Sequence, residues 1–106
     1  MSEFVKIAKF DRLHESRGTL VAVKGDDVVL FKRGETVYAI SNVCAHQHFS
    51  KLHDGPVAGF EVTCPMHGWS YDMRTGIATS GQGRVATYAV KVVGNDIMIA
   101  SADGLP

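Results

Sequence analysis

Two short pairs of metal-binding side chains constrain this chain more than any other feature. Cys44-Ala45-His46 and Cys64-Pro65-Met66-His67 stand seventeen residues apart, and Cys44 and Cys64 are the only cysteines among 106 residues. A thiolate with an imidazole two or three residues away, occurring twice, is a ligand pattern and not a packing pattern. The start, Met1-Ser2-Glu3-Phe4-Val5-Lys6, lacks the basic and then apolar regions of a signal peptide. The sequence therefore predicts a cytoplasmic protein, where two cysteines serve as ligands and not as a structural disulfide.

Two Cys and two His suit tetrahedral zinc or an iron–sulfur cluster of mixed ligation. Zinc fingers usually pair Cys with Cys and His with His. Here each pair is mixed, so two facing loops can give one metal both thiolates and a second metal both imidazoles. That order suits a two-iron cluster, with a zinc-stabilised binding module as the rival reading.

The rest of the chain reads as β structure. Phe4 to Phe10 alternates as a first strand, and Thr19 to Lys24, Val28 to Lys32 and Thr36 to Ile40 follow. Gly25-Asp26 and Gly34-Glu35 read as hairpin turns between them. Tyr88, Val90 and Val92 alternate, Gly94-Asn95 turns, and Ile97 and Ile99 alternate again. From Ser41 to Gly83 glycines are frequent and strand signals are short, with Phe60 to Thr63 and Trp69 to Asp72 the best. A loop-rich stretch of that length inside a small domain is usually functional. The sequence thus predicts one all-β domain over residues 1–106. An antiparallel base is built from both ends, with a metal-bearing subdomain inserted at about 42–84. Eleven Lys and Arg balance eleven Asp and Glu. That leaves no basic footprint for nucleic acid, and long-range steering of partners is weak. No apolar run reaches the roughly 18 residues of a membrane-spanning helix.

Cys-x-His, the gap, then Cys64-Pro65-Met66-His67-Gly68-Trp69-Ser70-Tyr71-Asp72 with Thr75-Gly76 resembles the signature of Rieske [2Fe–2S] proteins. Cys44-Ala45-His46-Gln47, Leu52 and Asp54-Gly55 resemble the family's first cluster loop. The resemblance implies a Rieske-type β-sandwich or barrel base and one [2Fe–2S] cluster per chain. Cys44 and Cys64 would bind the inner iron, and His46 and His67 the outer iron near the surface. Gln47, Gly68, Trp69 and Tyr71 would surround the ligands.

The chain departs from the family pattern at several positions. Leu52 and Gly55 fall one residue late, and His48 stands where glycine is common. Phe49 and Met66 replace the bridging cysteines of respiratory relatives. The third loop, Ser80-Gly81-Gln82-Gly83, lacks proline and is expected to be open. High-potential relatives place a serine where Trp69 stands and a tyrosine where Tyr71 stands. A potential in the lower part of the Rieske range follows. Histidine ligation also implies a midpoint that falls at alkaline pH.

The resemblance implies a ferredoxin, monomeric and not itself an enzyme, that shuttles single electrons. Its partners would be a flavin-dependent reductase and a terminal oxygenase, docking transiently at the His46/His67 tip. The alternative is a fixed small subunit like that of assimilatory nitrite reductase. His14, His48 and His53 read as solvated loop residues. Lys51, Arg74 and Arg84 read as a scatter of charge near the tip, of the kind that is usually only surface.

Overall fold

The apolar run Val28-Val29-Leu30-Phe31 is buried throughout and organises the molecule. A strand buried on both faces shows such a continuous run instead of alternation. In the computed structural model, which describes residues 4–43, 50–65, 68–80 and 83–100, this run is the middle of β3. Eleven strands are present among the described residues. They are β1 Phe4–Lys9, β2 Thr19–Val23, β3 Asp26–Arg33, β4 Thr36–Ser41, β5 Val57–Ala58 and β6 Glu61–Thr63. The others are β7 Ser70–Asp72, β8 Ala78–Ser80, β9 Thr87–Tyr88, β10 Val90–Val93 and β11 Asp96–Ala100.

They form three antiparallel sheets, ordered β1-β11-β10, β2-β3-β4-β9 and β5-β6-β7-β8. The middle sheet is the central layer. Val28 and Leu30 of β3, with Val37 and Ala39 of β4, face a core completed by Ile97, Ile99 and Tyr88. Val29 and Phe31, with Ile40, face the opposite core, which contains Leu52, Val62, Cys64, Tyr71 and Met73. The period-2 alternation of strand side chains thus splits one sheet between two cores. One core ties the chain ends together, and the other seats the inserted subdomain of β5 to β8.

Two details of the sequence reading change. The first hairpin turns on Lys24-Gly25 and not Gly25-Asp26, because Val23 pairs with Asp26. Lys24 and Gly25 have φ of 51° and 88°, the pair of positive angles a type I′ turn requires. Gly34-Glu35 and Gly94-Asn95 turn where expected. Tyr88 and Val92 also do not share one strand. Thr87–Tyr88 pairs with β4, whereas Val90–Val93 pairs with β11. The chain changes sheet at Ala89, so Tyr88 is buried while Val92 is 38% exposed. Switching sheets at a corner is a regular device of packed β-sheets. No helix among the described residues is long and apolar enough to cross a membrane.

Candidate metal centre

The second ligand loop is the connection of the β6–β7 hairpin. Its root is closed by the Thr63–Ser70 pair, whose hydroxyls lie 2.8 Å apart. Just above, the Cys64 N–H donates to the Trp69 carbonyl (2.6 Å) and the Gly68 N–H donates to the Cys64 carbonyl (2.9 Å). Pro65 and Gly68, the described residues at the loop's two sides, are exposed. Cys64 itself is fully buried, in the core with Leu52, Val62 and Tyr71. Trp69 is half-buried against the same core.

The first ligand loop is described at its two roots. Val43 bridges Ser50, and the N–H groups of Lys51 and Leu52 donate to the Asn42 carbonyl at 3.1 and 3.2 Å. The chain then makes a 3-10 turn, Leu52–Asp54, that buries Leu52. It passes so close to β6 that the Thr63 N–H donates to the Pro56 carbonyl (3.0 Å). The roots of the two loops are therefore packed side by side, next to Cys64. Cys44, His46, Gln47, His48, Phe49, Met66 and His67 lie outside the described residues. So does any one-residue insertion between His46 and Leu52. Among the described residues no three His, Cys, Asp or Glu side chains gather.

Tyr71 stands on β7 opposite Val62 and is fully buried in the core that holds Cys64. The third loop is tied at its flanks and not open there. Ile77 bridges Arg84, and the Ala78 N–H donates to the Gly83 carbonyl (3.0 Å), while Gly81 and Gln82 lie outside the described residues.

Two of the three cationic side chains, Arg74 and Arg84, lie away from Cys64. Arg74 follows Asp72, at the end of the β6–β7 hairpin away from Cys64. It donates to both carboxylate oxygens of Asp72, at 3.1 and 2.9 Å, and lies 4.4 Å over the Phe60 ring. Hydrogen bonding to the guanidinium holds the Asp72 carboxyl below its ordinary pKa, against the opposing effect of burial. Arg84, paired with Ile77, is toward the same end. Lys51 is exposed beside the first-loop root.

His14 is exposed, with Nε2 3.2 Å from Arg17. His53 is not simply solvated. Its ring Nδ1 lies 2.9 Å from Asn42 Nδ2, within a polar network under the first loop. Asn42, buried and polar, is the residue the sequence reading missed. Only its place between strand end and Cys44 could have drawn attention to it.

A fully buried thiol at the closed root of one loop, packed against the root of the other, suits a thiolate ligand to a buried iron. The two Cys-His pairs of the sequence are of the donor types that a mixed-ligand iron–sulfur cluster uses. Comparison with known proteins agrees. Residues 3–93 match the Rieske [2Fe-2S] domain family. The ferredoxin component of a naphthalene 1,2-dioxygenase system from Pseudomonas aeruginosa is 33% identical over 81 residues, 74% of this chain and 77% of that protein. The ferredoxin of carbazole 1,9a-dioxygenase from Nocardioides aromaticivorans IC177 superposes with a TM-score of 0.87. It is 36% identical, with 92% of this chain and 96% of that one covered. A candidate NADH-dependent nitrite reductase small subunit from Mycobacterium tuberculosis shares the fold, with a TM-score of 0.87 at 21% identity over 96% of this chain and 97% of that one. The chain belongs to the Rieske [2Fe–2S] family, in its ferredoxin branch.

Proposed function

We propose that this protein is the mobile electron carrier of an oxygenase system, receiving single electrons from a flavin-dependent reductase and delivering them to a terminal oxygenase. The observation that carries this reading is the buried Cys64 thiol between two packed loop roots in a chain of the ferredoxin branch. As a Rieske ferredoxin the chain carries one [2Fe–2S] cluster, which supplies one-electron redox chemistry when bound. Relatives that match it over most of their own length are named as ferredoxin components of dioxygenase systems. Cys44 and Cys64 would hold the inner iron, and His46 and His67 the outer iron at the docking tip. Gln47 and Gly68 would lie beside those ligands. Trp69 walls the loop root, and the buried strands beneath it exclude water. The protein is a single domain, monomeric and cytoplasmic on this reading, and its docking is transient and small, as redox encounters usually are.

The decisive experiment is a visible absorption spectrum with iron and acid-labile sulfide analysis. A coloured protein with equal iron and sulfide is expected; a colourless, zinc-loaded one overturns the reading. The shared fold of the nitrite reductase subunit favours a second reading, a fixed subunit of a larger enzyme. Gel filtration of the native protein separates them, since a free monomer is the carrier and co-elution with a large partner is the subunit.

We infer that Tyr71, buried in the core that holds Cys64, tunes the potential. A hydroxyl bonded to a cluster sulfur stabilises the more negative, reduced form. A hydrogen bond to a charged group contributes about 1.5–3 kcal/mol, or roughly 65–130 mV for one electron. Tyr71→Phe is expected to lower the midpoint by that amount in a redox titration. An unchanged midpoint would make Tyr71 a packing residue only.

A further inference from the structure

Asn42 is fully buried, yet it is polar and two residues ahead of Cys44. A buried amide is tolerated only when its hydrogen-bonding groups are satisfied. Here they all are. Its backbone N–H donates to the Asp27 carbonyl (2.9 Å), and its carbonyl accepts from Lys51 and Leu52. Its Oδ1 accepts from the His53 backbone N–H (2.6 Å). That contact fixes which way the amide faces. Its Nδ2 then has one hydrogen for Ser50 Oγ (2.8 Å) and one for His53 Nδ1 (2.9 Å). The ring nitrogen accepts, which leaves the ring proton on Nε2. Ser50 Oγ in turn donates to Asp27 Oδ2 (2.6 Å) on β3.

This arrangement bridges the ligand loop. Asn42 precedes Cys44 and His46; Ser50 and His53 follow them. A single side chain thus fastens the loop's exit to its entrance, and Asp27 fastens both to the central sheet. An apolar side chain of similar volume would fill the space but would not set this separation.

We propose that Asn42 is a positioning residue for the metal centre, clasping the two roots of the loop whose sequence carries Cys44 and His46. The proposal rests on the reading that this loop carries cluster ligands. The clasp acts on retention and ligand geometry and takes no part in electron transfer itself.

The test compares purified holoprotein with Asn42→Ala, Asn42→Asp and Ser50→Ala. Asn42→Asp keeps the shape but replaces the donating amide with a carboxylate oxygen facing Ser50. Bleaching of the visible spectrum is followed with an iron chelator present. The electron paramagnetic resonance spectrum of the dithionite-reduced protein reports ligand geometry. Both Asn42 variants are expected to bleach about tenfold faster than wild type, the effect of losing one or two buried hydrogen bonds. Ser50→Ala should fall between, and the resonance lines of the Asn42 variants should broaden and shift. A role confined to general stability would lower the melting temperature without moving the resonance spectrum. Wild-type bleaching and resonance in the Asn42 variants would overturn the clasp. If those variants do not fold, Ser50→Ala decides, because Ser50 is only half-buried and its loss leaves the core intact. Wild-type behaviour there overturns the clasp equally. A colourless wild-type protein would instead refute the electron-carrier reading, and the clasp with it.

Discussion

Cys64→Ser is expected to yield a colourless protein whose iron falls to background. The argument is chemical before it is structural. A thiolate is the ligand iron–sulfur clusters favour, and it forms near neutral pH because a thiol ionises readily. A serine hydroxyl does not ionise there and is a harder donor, so the substitution keeps the shape and removes the ligand. The site is also fully buried. Replacing the sulfur in that apolar core with a smaller, more polar oxygen also loosens the subdomain of β5 to β8. Cys64 is not part of the core between the central sheet and β11, so far-UV circular dichroism should keep its β signature. Visible absorption, iron analysis and circular dichroism on one preparation check all of this. A coloured variant with the wild-type spectrum would remove Cys64 from the ligand set.

The sequence shows the ligand types but not how the loops are held. Cys64 is legible because a thiol beside an imidazole is informative without any fold. The alternation of Val37 and Ala39 against Tyr38 and Ile40 is legible too, because strand faces follow from local order. The division of the sheet between two cores is not. Val28 to Phe31 reads only as an apolar run until both neighbouring layers are placed. The break at Ala89 is hidden because the local pattern continues across it while the pairing partner changes from β4 to β11. Asn42 is the clearest case. Its partners Ser50 and His53 lie 8 and 11 residues away, and Ser50 reaches back 23 residues to Asp27. No local rule joins them. Arg74 shows the opposite failure. Its partner is two residues away, yet only the strand direction reveals that both face away from the tip.

Gly55→Ala is expected to cost both the cluster and much of the subdomain's stability. Gly55 has φ −78° and ψ 149°, extended backbone that alanine adopts without strain. Its requirement for glycine is therefore one of space. A Cβ there overlaps the Thr63 carbonyl oxygen and lies 3.0 Å from the Thr63 carbonyl carbon. Backbone cannot swing aside as a side chain does, and Thr63 is held on two sides. Its N–H donates to Pro56, and it pairs with Ser70. Either the first-loop exit lifts away or β6 shifts, and a shift of β6 carries Cys64 with it. Overpacking of this kind costs about 1–3 kcal/mol, which lowers the melting temperature of a domain this size by roughly 5–20 °C. Gly34→Ala is the control. Its φ is +63° with nothing within 4 Å of the new methyl, so only the left-handed backbone is penalised, by about 1–2 kcal/mol. Gly34 lies in the β3–β4 turn, remote from both ligand loops in the pairing scheme. Both variants should melt earlier, but only Gly55→Ala should also bleach faster in chelator. Equal cluster retention in the two would show that the approach of the first-loop exit to Thr63 does not set the spacing of the ligands.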